Sequence, residues 1–244
     1  MEIQTVYKDK DFLVLAKPAG IAVHGGVGVR GKTVADWLLK KYPEVKNVGD
    51  DPKERPGIVH RLDKDTSGVM VVARNQKTFE ALKQLFKKRE VEKTYLVLVT
   101  GAPKQRSGVI DAPIGRLVRN PLKRGTGERG IRGGRQAVTE YRILERFDVA
   151  HRGRPQEYSL LEVTPKTGRM HQIRVHLASV GLPVAGDRTY GGTKAALPGL
   201  NRQFLHASSL AFSYPEGRRW RFEAALPLDL RRVLSELRRL RRQR

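Results

Sequence analysis

The chain has 244 residues, enough for one large domain or two small ones with a sizeable core. Its 48 Lys plus Arg against 25 Asp plus Glu leave a net charge of +23 and a pI near 10.7, so the expected partner is a polyanion, most simply nucleic acid, with an anionic membrane surface as the other reading of charge alone. The absence of cysteine excludes disulfides, thiolate zinc sites and cysteine nucleophiles, and with no leader at residues 1–4 and no apolar run near the ~18 residues of a membrane span, a cytosolic location is expected.

Residues 5–7 and 12–16 are short apolar strands around the polar turn 8–11, a predicted hairpin, and Lys17-Pro18-Ala19-Gly20 breaks the second strand. Gly26-Val27-Gly28-Val29-Arg30-Gly31-Lys32-Thr33 fits the phosphate-cradling pattern of nucleotide-binding loops. The run before it is broken by Ala22 and His24, and no apolar strand ends in an Asp placed to hold magnesium. The stretch therefore reads as a glycine-rich loop before a helix. Thr33 caps that helix, which runs to about residue 42 with Val34, Trp37 and Leu38 on one face.

The central stretch is His60-Arg61-Leu62-Asp63-Lys64-Asp65-Thr66-Ser67-Gly68, followed by the apolar, β-branched run Val69-Met70-Val71-Val72-Ala73. A polar loop feeding a buried strand is held at one end, which suits it to fixing a carboxylate against a substrate. Such a loop can also be an ordinary turn whose Asp, Thr and Ser side chains satisfy local backbone groups. A divalent cation is disfavoured, because Asp63 and Asp65 lack a third carboxylate nearby and are flanked by Arg61 and Lys64.

Asn75 caps a predicted helix to about residue 90, with Phe79, Leu82, Leu85 and Phe86 on its apolar face and Lys83, Lys87, Lys88 and Arg89 on the other. Residues 91–99 and 109–114 read as strands, and 137–147 and 158–165 resume the pattern. Between them, 115–135 holds seven Arg or Lys among much Gly and one acidic residue, Glu128. It is expected to be a mobile basic loop that grips RNA, with Arg116, Arg119, Lys123 and Arg124 as candidate contacts. The helix expected from Thr167 or Gly168 to about Val180 puts Arg169 and Arg174 near its N-terminus, a strongly positive site. His171 and His176 on it are five apart, not the four that would put two zinc ligands on one face. Strands follow at 203–212 and 220–226. The end, 229–244, is a predicted helix with Leu230, Val233, Leu234, Leu237 and Leu240 on one face and seven arginines.

Four motifs in order resemble the RluA/RluD-type RNA pseudouridine synthases: Lys17-Pro18-x-Gly20; His60-Arg61-Leu62-Asp63-x-x-Thr66-Ser67-Gly68; Lys93-x-Tyr95-x-x-x-Val99; and Gly168-Arg169-x-His171-Gln172-Ile173-Arg174 with Gly186-Asp187-Arg188-x-Tyr190-Gly191. Leu205-His206-Ala207 looks like the family's last motif. The resemblance implies an α+β fold, a mixed, mostly antiparallel curved sheet flanked by helices and loops, spanning 1–244 as a single catalytic domain. It implies conversion of uridine to pseudouridine in RNA without cofactor or metal. Asp63 would be the catalytic residue, Arg174 its partner, Tyr95 and Leu205 the surfaces against the target base, and Arg61 a side chain entering the space the flipped uridine leaves. Large-subunit ribosomal RNA is the first expected target and transfer RNA the alternative, with a monomer as the default. The N-terminal S4-like domain of many members finds no room in these 244 residues, and the basicity would compensate. The rivals are a non-catalytic RNA-binding protein and a hydrolase of a nucleic-acid glycosidic bond, which would release free uracil.

Overall fold

A half-exposed alternating strand and the continuous apolar run after it build the first hairpin of the computed structural model, which describes residues 2–26, 28–127, 130–151, 154–215 and 217–242. Strands β1 (Gln4–Lys8) and β2 (Phe12–Lys17) pair antiparallel, and the Asp9 carboxylate closes their turn by accepting the amides of Asp11 and Phe12. Helix α1 (Val34–Lys41) begins in a capping box: the Thr33 hydroxyl accepts the Asp36 amide, and the Asp36 carboxylate accepts the Thr33 amide at 2.8 Å. Strand β3 (Ser67–Ala73) is buried along its whole length and pairs antiparallel with β2. Helix α2 (Gln76–Lys88) starts at Asn75, whose side chain accepts the Thr78 amide, as its sequence predicts.

The chain then runs through β4 (Glu92–Thr100), β5 (Ser107–Asp111), β6 (Ile114–Leu117), β7 (Arg124–Thr126), β8 (Ile131–Arg135), β9 (Val138–His151) and β10 (Arg154–Pro165). Helix α3 (Gln172–Ser179), β11 (Leu205–Ser213), β12 (Arg219–Glu223) and α4 (Leu228–Arg242) complete it. Two compact units divide these elements, 1–93 with 207–225 and 94–206 with 226–244.

In the first unit, β1, β2 and β3 lie side by side, β11 follows β3, and β12 pairs antiparallel with β11. Leu13, Leu15, Met70 and Val72 of this sheet pack on Val34 and Leu38 of α1. Gly68 is required where β3 meets β11: its φ is +131°, and a Cβ there would stand 2.2 Å from the Ala207 carbonyl oxygen. We expect Gly68→Ala to destabilise by more than ~3 kcal/mol, because overpacking and an unfavourable φ act together. An unfolding midpoint within a degree of wild type would contradict that.

In the second unit, β4, β10, β9 and β5 pair antiparallel in that order. Leu230, Val233, Leu234 and Leu237 of α4 pack with Phe147, Tyr158 and Phe204, so the leucine stripe read from sequence does bury. The last two residues of the helix expected over 229–244 lie outside the described residues. No helix among the described residues is long and apolar enough to cross a membrane.

The structure differs from expectation at 109–135. Pro113, which has no amide to donate, falls between β5 and β6 where one strand was expected. The basic stretch 115–135 is not a bare loop: β6 pairs antiparallel with both β7 and β8. Leu117 and Ile131 pack over Gly125, where a Cβ would come within 2.4 Å of Leu117 Cδ2. A strand this rich in Gly and Arg carries no apolar alternation, so periodicity has nothing to register. Residues 128 and 129 of the expected loop lie outside the described residues.

Candidate active site

The loop ahead of β3 is tied down at both ends. Lys17 is 2 % exposed, and its Nζ donates to the carbonyls of Pro18, Ile21 and Lys64 at 2.8, 2.8 and 2.9 Å. The Gly20 amide donates to the same Lys64 carbonyl at 3.0 Å, and the Thr66 amide to the Asp63 carbonyl at 3.1 Å. His60 stacks on Phe86 with ring centroids 4.6 Å apart and accepts the Val71 amide at Nε2, 3.0 Å away. Burial, with the Lys93 charge, pushes the His60 imidazole down to about 3, so it stays neutral as an acceptor must. Between these anchors Asp63 and Asp65 are half-buried and Arg61 is exposed. The Arg61 guanidinium reaches His24, with Nη1 3.1 Å from Nε2.

In the second unit, Tyr95 of β4 packs against the cluster that contains Leu205 of β11 and Ile173 and Leu177 of α3. Tyr95, Leu205 and the helix bearing Arg174 therefore share one apolar neighbourhood. Arg174 is 6 % exposed and Asp187 1 %. The Arg174 guanidinium grips Asp187 with two bonds, Nε to Oδ2 at 2.7 Å and Nη2 to Oδ1 at 3.0 Å. The Asp187 Oδ1 also accepts the amides of Thr189 and Tyr190. Burial alone would push the Asp187 carboxyl up, but the Arg174 bonds and charge, aided by those two amides, hold it below the ordinary carboxylate value.

Helix α3 does not begin where sequence reading put it. Its first turn follows His171, which takes a left-handed conformation at φ 56° and gives no side-chain cap. Thr167 instead donates its hydroxyl to Gln172 Oε1 at 2.7 Å. Gln172 joins the turn to the sheet: Oε1 also accepts the Arg169 amide, and Nε2 donates to the Val138 carbonyl and to Thr139 Oγ1. Local side-chain bonding thus replaces the expected cap. The two histidines are used separately, His171 against the Tyr190 hydroxyl and His176 between Thr139 and the Ala112 carbonyl.

The basic small sheet is anchored beside this pair. The Arg124 amide donates to the Tyr190 hydroxyl at 3.0 Å and Lys123 Nζ to the Thr189 carbonyl at 3.2 Å. Arg169 Nε donates to the Gln136 carbonyl, while Arg116 and Arg119 are exposed. Sequence reading gave no role to Lys17, His24, Gln172 or Asp187. The signal for Asp187 was present in Gly186-Asp187: Gly186 has φ +79°, and a Cβ there would meet the Arg202 carbonyl oxygen at 2.1 Å.

The family profile described as RNA pseudouridylate synthase matches residues 11–179. A relative from Chloroflexus aurantiacus named an uncharacterized RNA pseudouridine synthase is 44% identical over 222 residues, 91% of this chain and 65% of that protein. One from Xanthomonas campestris named ribosomal large subunit pseudouridine synthase D is 41% identical over 248 residues, 97% of this chain and 70% of that protein. The chain thus spans about two thirds of the length of these relatives. Among solved structures, human RNA pseudouridylate synthase domain containing 1 superposes with a TM-score of 0.72 at 26% identity, covering 97% of this chain and 95% of that one.

Proposed function

The chain belongs to the RNA pseudouridylate synthase family, and from that premise we propose that it isomerises uridine to pseudouridine in structured RNA with Asp63 as the catalytic residue. The C1′–N1 bond breaks, the uracil rotates and C5 bonds to C1′. The proton leaving C5 is balanced by one gained at N1, so nothing is consumed. A carboxylate can add to C6 of the uracil or to C1′, or take the C2′ proton. Each route needs a carboxylate fixed in place and open to the base. The observation that carries the reading is the anchored loop: half-buried Asp63, with its neighbour Lys64 tied to Lys17 and Gly20. Tyr95 and Leu205 take the faces of the flipped base, Arg174 pairs with Asp63, and Arg61 fills the space the base leaves. The shared apolar cluster of Tyr95 and Leu205 supports their part. No metal or cofactor enters the scheme, and the working form is a cytoplasmic monomer.

Large-subunit ribosomal RNA is the proposed target, supported by the name of the Xanthomonas relative. The test is purified protein on unmodified ribosomal and transfer RNA, read by pseudouridine mapping. Pseudouridine at defined ribosomal positions without free uracil is expected. Free uracil would mean glycosidic hydrolysis, tight binding without product would mean a non-catalytic RNA-binding protein, and modification of transfer RNA alone would move the target.

RNA is gripped through Arg116, Arg119, Lys123, Arg124 and Arg169, joined by arginines of α4. Affinity should then fall steeply with salt, by about 10³-fold or more between 50 and 200 mM for six or more phosphate contacts. Replacing Arg116 and Arg119 together by Ala should flatten the log–log slope by about 1.5. A flat response in the wild-type protein would remove this surface from the scheme.

A further inference from the structure

We propose that His24 is a positioning residue for Arg61: its neutral imidazole holds the guanidinium extended from the catalytic loop, in the orientation from which it enters the RNA helix. The inference rests on the role given to Arg61 above and extends it to a residue outside the loop. His24 is 8 % exposed and lies just before the glycine-rich segment 25–31. Its Nδ1 is 2.6 Å from the Gly25 carbonyl oxygen. A carbonyl only accepts, so the ring proton sits on Nδ1. Nε2 then offers a lone pair, and the Arg61 Nη1 3.1 Å away can only donate. The two contacts together select one tautomer of one charge state.

An imidazolium would turn an N–H toward the guanidinium, opposing donor to donor and charge to charge. The groups facing His24 are Arg61 and Arg55, both cationic, and the Glu54 carboxylate, which also lies against Gly25. Burial is the largest influence on the ring and pushes it down; the Gly25 carbonyl opposes that, the two arginines add to it and Glu54 opposes it, with a net lowering. His24 is therefore neutral at neutral pH and charges only on acidification below ~6.5, the ordinary histidine value. The exposed Arg61 adds nothing to the core by being held. What the bond supplies is a single orientation of a side chain that otherwise samples many rotamers.

The experiment compares single-turnover rates on a stem containing the target uridine and on an unstructured strand of the same sequence. His24→Leu should lower the ratio of structured to unstructured rate about tenfold. His24→Gln, which keeps an acceptor at the same reach, should recover most of it. The loss in His24→Leu combined with Arg61→Ala should equal that of Arg61→Ala alone. In wild type the ratio should fall as pH drops below ~6.5, and in His24→Gln it should not. If His24→Leu is too unstable to assay, the His24→Gln pH profile decides alone. A ratio unchanged in His24→Leu, an additive double variant, or the same pH dependence in His24→Gln overturns the proposal and leaves the role of Arg61 standing. A normal ratio in Arg61→Ala overturns both, and no pseudouridine from wild type on either RNA overturns the proposed activity itself.

Discussion

Replacing Asp63 with Ala or Asn is expected to lower the single-turnover rate of pseudouridine formation by at least ~10³-fold, the scale on which loss of a nucleophile or base acts, equivalent to about 4 kcal/mol of transition-state stabilisation. RNA affinity should hold or tighten slightly, because a negative charge leaves a chain of net charge +23. The variant should still fold, since the Asp63 backbone carbonyl accepts the Thr66 amide whatever the side chain. That combination separates chemistry from fold. In cells, pseudouridine sites lost on deleting the gene should return with wild type and not with Asp63→Ala. A variant keeping more than a tenth of the rate would remove Asp63 from the chemistry and turn attention to Asp65, two residues on and also half-buried.

The loop could be read in advance because its chemistry and its frame are contiguous. Gly68 and the apolar run after it announce the buried strand, and Asn75 and Thr33 announce helix starts by side chains that do bond the expected amides. What could not be read depends on distant residues. Gln172 ends the turn before α3 by bonding Val138 and Thr139, more than thirty positions earlier, so no local cap rule predicts the start of that helix. The strands of 114–135 hide for the opposite reason: their packing uses the absence of side chains at Gly115 and Gly125. Lys17 is the instructive case. Its sequence context reads as a strand breaker, yet its ammonium is buried with its donors spent on three carbonyls, one of them 47 residues away. A lysine so placed is an internal tie, which composition would count as surface charge.

Asp187 carries the largest stability prediction. With Arg174 6 % exposed and Asp187 1 %, neither charge is screened by solvent, and removing Asp187 takes from the buried guanidinium both of its bonds to that carboxylate. Asp187→Ala is therefore expected to destabilise by about 3–5 kcal/mol, lowering the unfolding midpoint by roughly 10 °C. The amides of Thr189 and Tyr190 lose their acceptor as well, which loosens the segment that anchors Lys123 and Arg124. The pH dependence has a definite sign. The folded-state carboxyl lies below its unfolded value, so its contribution is fully present above pH ~4 and is lost as pH falls through the folded value. The gap between wild type and Asp187→Asn should accordingly narrow below pH ~4. Replacing both partners, Arg174→Met with Asp187→Leu, should restore much of the stability, because an apolar pair needs no compensation. It should not restore activity if Arg174 also orients Asp63. A double variant that regains both would make the pair a purely structural bolt, and an Asp187→Asn midpoint within two degrees of wild type would deny it even that.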